Sequence, residues 1–322
     1  MYPAVLSTVG MSSYRRMRGW GTLGIVAHSD LLCPQVGFSA SVQRPFSLVC
    51  EPGRVRLGGP AVVVAALLTS AAVLAGCRTA PDPAPNALHH IRESKTLRVC
   101  STGDYRPFTY RDPQGAWSGM DIELADDVAR RLDVKAEMVQ TSWANLVDDL
   151  NARCDIAMGG ISITLERAQD AVYSKPYLRD GKAAIVRCAD ASRFRSLPDI
   201  DRPGVRVVVN PGGTNAEFAA DNLKQATVIE HPDNNTIFGE ISGGNADAMI
   251  TDASEIRFQT AQDHTLCPVS IDQPFTFEQK AYLLPATATD TARWVDQWLN
   301  IAQHDGTYDR ISQKWLGRVI GP

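Results

Sequence analysis

The sequence predicts a two-lobed α/β fold with a ligand cleft between the lobes, and three observations carry that prediction. From residue 97 onward, short apolar runs of strand character alternate with segments of helical period. Such alternation belongs to a mainly parallel sheet covered on both faces. The alternation breaks at a polar stretch, 190–201, and then starts again. Finally, a last strand and two amphipathic helices follow the second unit, which suits a C-terminal segment that returns to the first lobe.

The elements follow in order. Residues 97–100 read as the first strand, and Asp112-Pro-Gln-Gly115 as a turn. Ile122, Leu124, Ala125, Val128, Ala129 and Leu132 recur at helical spacing. Strand character returns at 137–140 and 154–158, with a short helix at 143–150 between them. The strand at 183–187 leads out of this lobe. The second unit holds strands at 205–209, 227–230 and 246–250, with helices at 216–223, 236–242 and 253–262. A strand at 281–284 and helices at 291–303 and 308–316 close the chain. The division expected is lobe 1 over 90–187 and 281–322, and lobe 2 over 188–280. Ligands of open α/β sheets bind beyond the carboxyl ends of the strands, which are the loops that carry the polar motifs here.

Ahead of these units lies a leader. Arg54 and Arg56 flank the run AVVVAALLTSAAVLA at 61–75, which is followed by Gly76-Cys77. The run is short for a membrane span and ends in small residues, as secretion signals do. Leu74-Ala75-Gly76-Cys77 resembles a bacterial lipobox, so 54–77 is expected to be a lipoprotein signal peptide with Cys77 as the lipidated residue. The protein is then exported to the cell envelope, lipid-anchored to the outer face of the membrane or periplasmic. Residues 78–89, rich in Pro and Ala, read as a tether. Residues 1–53 carry no periodic pattern; they suit either an upstream start, with translation beginning near Val55, or a cytoplasmic tail.

Composition excludes some classes. The net charge is −4 and no basic cluster stands out, so no nucleic-acid partner is expected. The 6 histidines are scattered and no phosphate loop occurs, so neither a metal nor a cofactor is expected. Gly160-Ile-Ser162-Ile-Thr164 has threonine where a nucleophile elbow needs glycine. Of the 7 cysteines, Cys100, Cys154, Cys188 and Cys267 follow the lipobox. An even number in an exported chain points to disulfides, and four cysteines allow three pairings. Cys100 and Cys154 belong to strands expected to be neighbours in one lobe, which permits a bridge given the right register.

Asp104-Tyr-Arg-Pro-Phe108, Gly119-Met-Asp121, Trp143, Asp155, Ser162-Ile-Thr164-Leu-Glu-Arg167 and Ser174-Lys-Pro-Tyr177 together resemble the amino-acid-binding branch of the periplasmic solute-binding proteins, family 3. The likeness covers the chain from Ile91 onward and implies their type II periplasmic binding protein fold. Within it, STGDYRPFTYR, TSWANL, DIAMGGISITLER, YLRDGK, NPGGTN, HPDNNTIF, TDASE and QPFTFEQKAYLLP resemble the cyclohexadienyl dehydratases. These remove water and CO₂ from prephenate or arogenate. The resemblance also implies a Cys188–Cys267 bridge; it implies nothing about Cys100 and Cys154.

That chemistry needs a general acid for the departing hydroxyl and fixed donors for the substrate carboxylate. By resemblance Glu255 is the acid; by spacing, Asp252-x-x-Glu255 is equally a capping box that ties off a helix. As an acid, Glu255 must sit where burial raises its pKa. Asn210 matches the family's active-site asparagine, although a Pro-Gly turn with an asparagine cap would read the same. Arg167 offers a fork of donors to a carboxylate, beside Gly160, Ser162 and Thr164 at a helix start. Its bland alternative is a surface pair with Glu166 or Asp170. Lys182 could reach a second carboxylate, or be a solvated hinge lysine. Tyr105, Phe108 and Trp143 offer flat walls to a ring, or only core. Gly213 allows close backbone approach, and Thr214 opens a helix whose N–H groups favour anions. Asp252 is the natural partner of an α-amino group, or a cap. The leading expectation is therefore a dehydratase with a small-molecule substrate; the alternative is the substrate-binding lipoprotein of an amino-acid transporter. Glu255, Asn210 and Lys182 discriminate, because transport needs no proton donor. Oligomeric state is left open.

Overall fold

A computed structural model describes residues 86–322. The expected extension, signal peptide and lipobox, with Cys77, lie outside them. The stretch read as a tether gives way to a helix sooner than expected. Ala87–Ser94 is helical because Asn86 accepts the His89 N–H at 2.9 Å and Ile91 is buried.

Two five-stranded sheets form the lobes. In the first, the order is Lys135–Gln140, Thr96–Ser101, Ile156–Ala157, Leu283–Pro285, Ala171–Tyr173. The first three strands are parallel, and Leu283–Pro285 joins antiparallel to both its neighbours. Helix Met120–Leu132 buries the apolar stripe expected of it and ends at Asp133 in a left-handed cap, with Arg130 and Arg131 in the last turn. Helix Thr289–His304 adds Val295, Trp298, Leu299 and Ala302 to the same core. The C-terminal segment therefore packs on the first lobe.

The second sheet runs Thr227–Glu230, Arg206–Val209, Ala248–Asp252, Lys182–Arg187, Leu266–Val269. Here the lobe boundary differs from the expected one. Strand Lys182–Arg187 pairs antiparallel with Ala248–Asp252, so it belongs to the second lobe rather than the first. Its residues alternate between two cores, Ala184 and Val186 on one face and Ala183 and Ile185 on the other. A nearly continuous apolar run hid this from a boundary drawn by composition. Chain crossing takes place just before it, where Leu178–Asp180 pairs antiparallel with Glu278–Lys280. At Gly181 a Cβ would stand 2.1 Å from the Thr276 carbonyl oxygen, so only glycine passes this crossing.

Two disulfides are present among the described residues. Cys188–Cys267, with a Cα–Cα distance of 4.7 Å, tethers the edge strand of the second lobe. Cys100–Cys154, at 5.7 Å, joins strand Thr96–Ser101 of the first lobe to the end of helix Leu146–Arg153.

Candidate active site

The cleft lies between the carboxyl ends of the two sheets. Of the residues singled out in the sequence, Tyr105, Trp143, Gly160, Ser162 and Arg167 line it from the first lobe. Asn210, Gly213, Thr214 and Asp252 line it from the second. Glu255, Lys182 and Thr164 stand outside the wall. Three lining residues escaped the sequence reading: Asn215, Asn234 and Lys280. Asn215 ends NPGGTN, and Asn234 and Lys280 lie within HPDNNTIF and QPFTFEQKAYLLP. No local pattern separates them from ordinary polar residues.

At the centre is Asp252, the last residue of its strand and 3% exposed. Oδ1 accepts from Lys182 Nζ at 2.8 Å, and Oδ2 accepts from Lys280 Nζ and from the Tyr105 hydroxyl. Burial alone would raise its pKa. The two ammonium groups outweigh burial and hold the carboxyl well below the usual range. Its oxygens do not cap the following helix, contrary to the capping alternative.

Lys182, almost fully buried, donates to Asp252 Oδ1, Thr214 Oγ1 at 2.8 Å and Asn215 Oδ1 at 2.7 Å. An ammonium has three donors, so none is left for a ligand. Lys280 donates to Ser162 Oγ at 2.8 Å and to Asp252, which leaves one hydrogen for the cleft it lines. Burial pulls its pKa down, but Asp252, Asp180 and Glu278 together raise it, so it is charged. Ser162 Oγ donates in turn to Glu278 Oε2 at 2.8 Å. Its hydroxyl thus serves the crossing between lobes. Asp180 at the same crossing accepts from the Ser254 N–H and hydroxyl; burial, then the charge of Asp252, raises its pKa to about 6.

Glu255 lies in the first turn of helix Ala253–Gln262, 1% exposed. Its Oε2 accepts from Thr251 Oγ1 at 2.6 Å, and its Oε1 is buried with no hydrogen-bond partner among the described residues. The pKa stands well above 4.5. Burial raises it most, the Thr251 bond opposes burial, and the charges of Asp252 and Asp104 add to the rise. These surroundings favour the protonated, neutral form of the side chain over the carboxylate. A capping glutamate would instead reach back to the N–H of Asp252, which Glu255 does not do.

Arg167 opens the single turn Arg167–Asp170, its N–H capped by Thr164 Oγ1 at 3.2 Å. Nη1 donates to the Ser162 carbonyl at 3.1 Å. Among the described residues no carboxylate forms a salt bridge with it, so the pairing with Glu166 or Asp170 is not made. Most of the guanidinium fork remains available to an anion in the cleft. Asn210 accepts from Asn215 Nδ2 at 3.3 Å, which leaves its own amide nitrogen for the cleft.

The flat wall consists of Tyr105 and Trp143, which meet edge to face at 5.4 Å. Phe108 is fully buried behind Tyr105, stacked at 5.3 Å, and belongs to the core. Gly160 has φ +67°, and a Cβ there would stand 2.6 Å from the rings of both Tyr105 and Phe108. The wall therefore needs glycine at this place.

Residues 97–318 match the family described as bacterial extracellular solute-binding proteins, family 3. The chain is 50% identical over 230 residues to cyclohexadienyl dehydratase of Pseudomonas aeruginosa, covering 71% of this chain and 85% of that protein. It is 25% identical over 251 residues to the L-cystine-binding protein TcyJ of Escherichia coli K12, with 77% and 93% covered. Among solved structures it resembles the ancestral amino acid-binding protein AncCDT-1, described as a precursor of cyclohexadienyl dehydratase. The TM-score there is 0.67 at 33% identity, covering 71% of this chain and 99% of that one. A lysine complex of a binding component of an ABC transporter from Wolinella succinogenes gives 0.65 at 27% identity, with 69% and 96% covered. The chain belongs to the bacterial extracellular solute-binding proteins, family 3, and within that family it is similar to cyclohexadienyl dehydratase.

Proposed function

We propose that this protein is a cyclohexadienyl dehydratase that converts prephenate, arogenate or both to phenylpyruvate or phenylalanine in the interlobe cleft. One observation carries the reading: Glu255 is a buried carboxyl whose surroundings favour its protonated form, beside a cleft to which Arg167 offers most of its guanidinium fork. In the reaction, Glu255 gives its proton to the departing ring hydroxyl as the C–O bond breaks. The bond from the ring to its carboxylate breaks at the same carbon skeleton, and its electron pair completes the aromatic ring. Water and CO₂ leave, and Glu255 recovers its proton from solvent. Arg167 holds the side-chain carboxylate bidentately, with Asn210 and the free hydrogen of Lys280 as further donors. Tyr105 and Trp143 bracket the ring. Lys182 acts through Asp252 and Thr214 rather than by touching substrate. The run at 61–75 and the box ending at Cys77 support export, with a lipid on Cys77 holding the protein at the outer face of the membrane.

The second reading, a binding subunit of an amino-acid transporter, draws on relatives such as the L-cystine-binding protein. Against it stands Asp252, whose oxygens are engaged by two lysines and a tyrosine and offer little to an α-ammonium group. The test is prephenate turnover by the soluble domain from about Ala80, followed by phenylpyruvate absorbance, with Glu255→Gln beside it. Turnover that falls on the order of 10²-fold or more in the variant supports the enzyme and its acid. Absence of turnover, with tight binding of an amino acid, makes this a transport protein.

A further inference from the structure

Lys182 can only donate, and its Nζ donates to Asn215 Oδ1 at 2.7 Å. That contact sets the Asn215 amide with oxygen toward Lys182 and nitrogen toward Thr251. Asn215 Nδ2 then donates to Thr251 Oγ1 at 3.0 Å, and also to Asn210 Oδ1 at 3.3 Å. The Thr251 hydroxyl, an acceptor on that side, has its one hydrogen left for Glu255 Oε2 at 2.6 Å. Every donor in the row points the same way, from Lys182 through Asn215 and Thr251 to Glu255. All four side chains are buried. The carbonyl-type oxygen of a carboxylic acid is its better acceptor. Thr251 therefore draws Oε2 into that role and leaves the acid hydrogen on Oε1, the oxygen with no partner among the described residues.

We infer that Thr251 and Asn215 are positioning residues that set which oxygen of Glu255 carries the proton for transfer, namely Oε1. The inference rests on the reading of Glu255 as the general acid. Asp252 and Lys182 act on Glu255 through charge from the second lobe and Asp104 from the first, while the Tyr105 hydroxyl, a neutral group, is itself held protonated in part by the charge of Glu255. Thr251 alone among the described residues meets it by a hydrogen bond. Without the row, the proton is free to sit on either oxygen, and a donor that favours the ionised form is gone.

The test compares prephenate turnover and its pH profile in Thr251→Val, Thr251→Ser and Asn215→Asp. In Thr251→Val, kcat should fall on the order of 10- to 100-fold with KM little changed. The alkaline limb of its profile should move to higher pH, because the lost bond held the acid lower. Thr251→Ser keeps the hydroxyl and should recover most of the loss. Asn215→Asp keeps an acceptor for Lys182 but replaces the donor to Thr251 with a second acceptor. It reverses the row, forces the proton onto Oε2, and should lower kcat with KM held. Parent kcat and an unmoved alkaline limb in Thr251→Val would overturn the inference while Glu255→Gln still abolishes turnover. If Thr251→Val does not fold, Asn215→Asp decides, and parent kcat there overturns the inference equally. Turnover that survives Glu255→Gln removes the acid, and this role with it.

Discussion

Removing one charge from the middle of the cleft should cost more stability than any other polar change in this protein. Asp252→Asn keeps the shape but leaves Lys182 and Lys280, 1% and 0% exposed, without the carboxylate both of them touch. Breaking a buried ion pair by deleting one partner costs about 3–5 kcal/mol. Two lysines share this partner, which argues for the upper end. Glu278, 3.6 Å from Lys182, and Asp180, which faces Lys280, offset part of the loss. About 4 kcal/mol is therefore expected, or roughly 10 °C in Tm for a domain of this size. Differential scanning calorimetry of the soluble domain measures it. The double variant Asp252→Asn/Lys182→Met should recover a large part, because it removes the stranded ammonium as well. A melting point within about 2 °C of the parent in the single variant would refute the claim that these lysines depend on Asp252.

Other outcomes follow from the same geometry. Turnover should fall as pH rises through the raised pKa of Glu255, since only the protonated form donates. The same shift makes the folded protein hold that proton more tightly than the unfolded chain. Its contribution to stability is thus full below about 4.5 and lost as pH rises through the folded value; Glu255→Gln should flatten that slope in pH-dependent melts. Arg167→Lys exchanges a fork for a point charge, and should raise KM on the order of tenfold with a smaller change in kcat, measured by steady-state kinetics. Replacing Cys100 and Cys154 together by alanine opens a loop of 54 residues and should cost about 4 kcal/mol in denaturant unfolding, with turnover retained under native conditions.

Much of the fold was legible because it rests on periodicity. The stripe from Ile122 to Leu132 and the restart after 201 each repeat a pattern that only one kind of element can bury. The crossing between lobes was not legible in the same way. Strand Lys182–Arg187 is apolar on both faces, so nothing in its own residues says which sheet it joins. The site divides likewise. Arg167, Asn210, Tyr105, Trp143 and Asp252 stood in loops at strand ends, where topology predicts a cleft, and there they are. Lys280 carried no signal of its own. It reaches Asp252 because the second crossing strand brings it across from a part of the chain 28 residues away.

What the sequence determined by itself, then, is everything that depends on local pattern: the two α/β units, the carboxyl-end loops and the even set of four cysteines from Cys100 onward. Only tertiary structure decided what each charged group does. Asp252 and Glu255 are three residues apart and read alike as a capping pair. In the fold one is surrounded by two ammonium groups that hold it ionised, while the other is buried against a single hydroxyl, which favours its protonated form. The physical reason is that ionisation depends on the charges and solvent within a few ångströms of an atom. For these two carboxyls, those neighbours come from Lys182, Lys280, Tyr105 and Thr251, brought together by two lobes and the strands that cross between them.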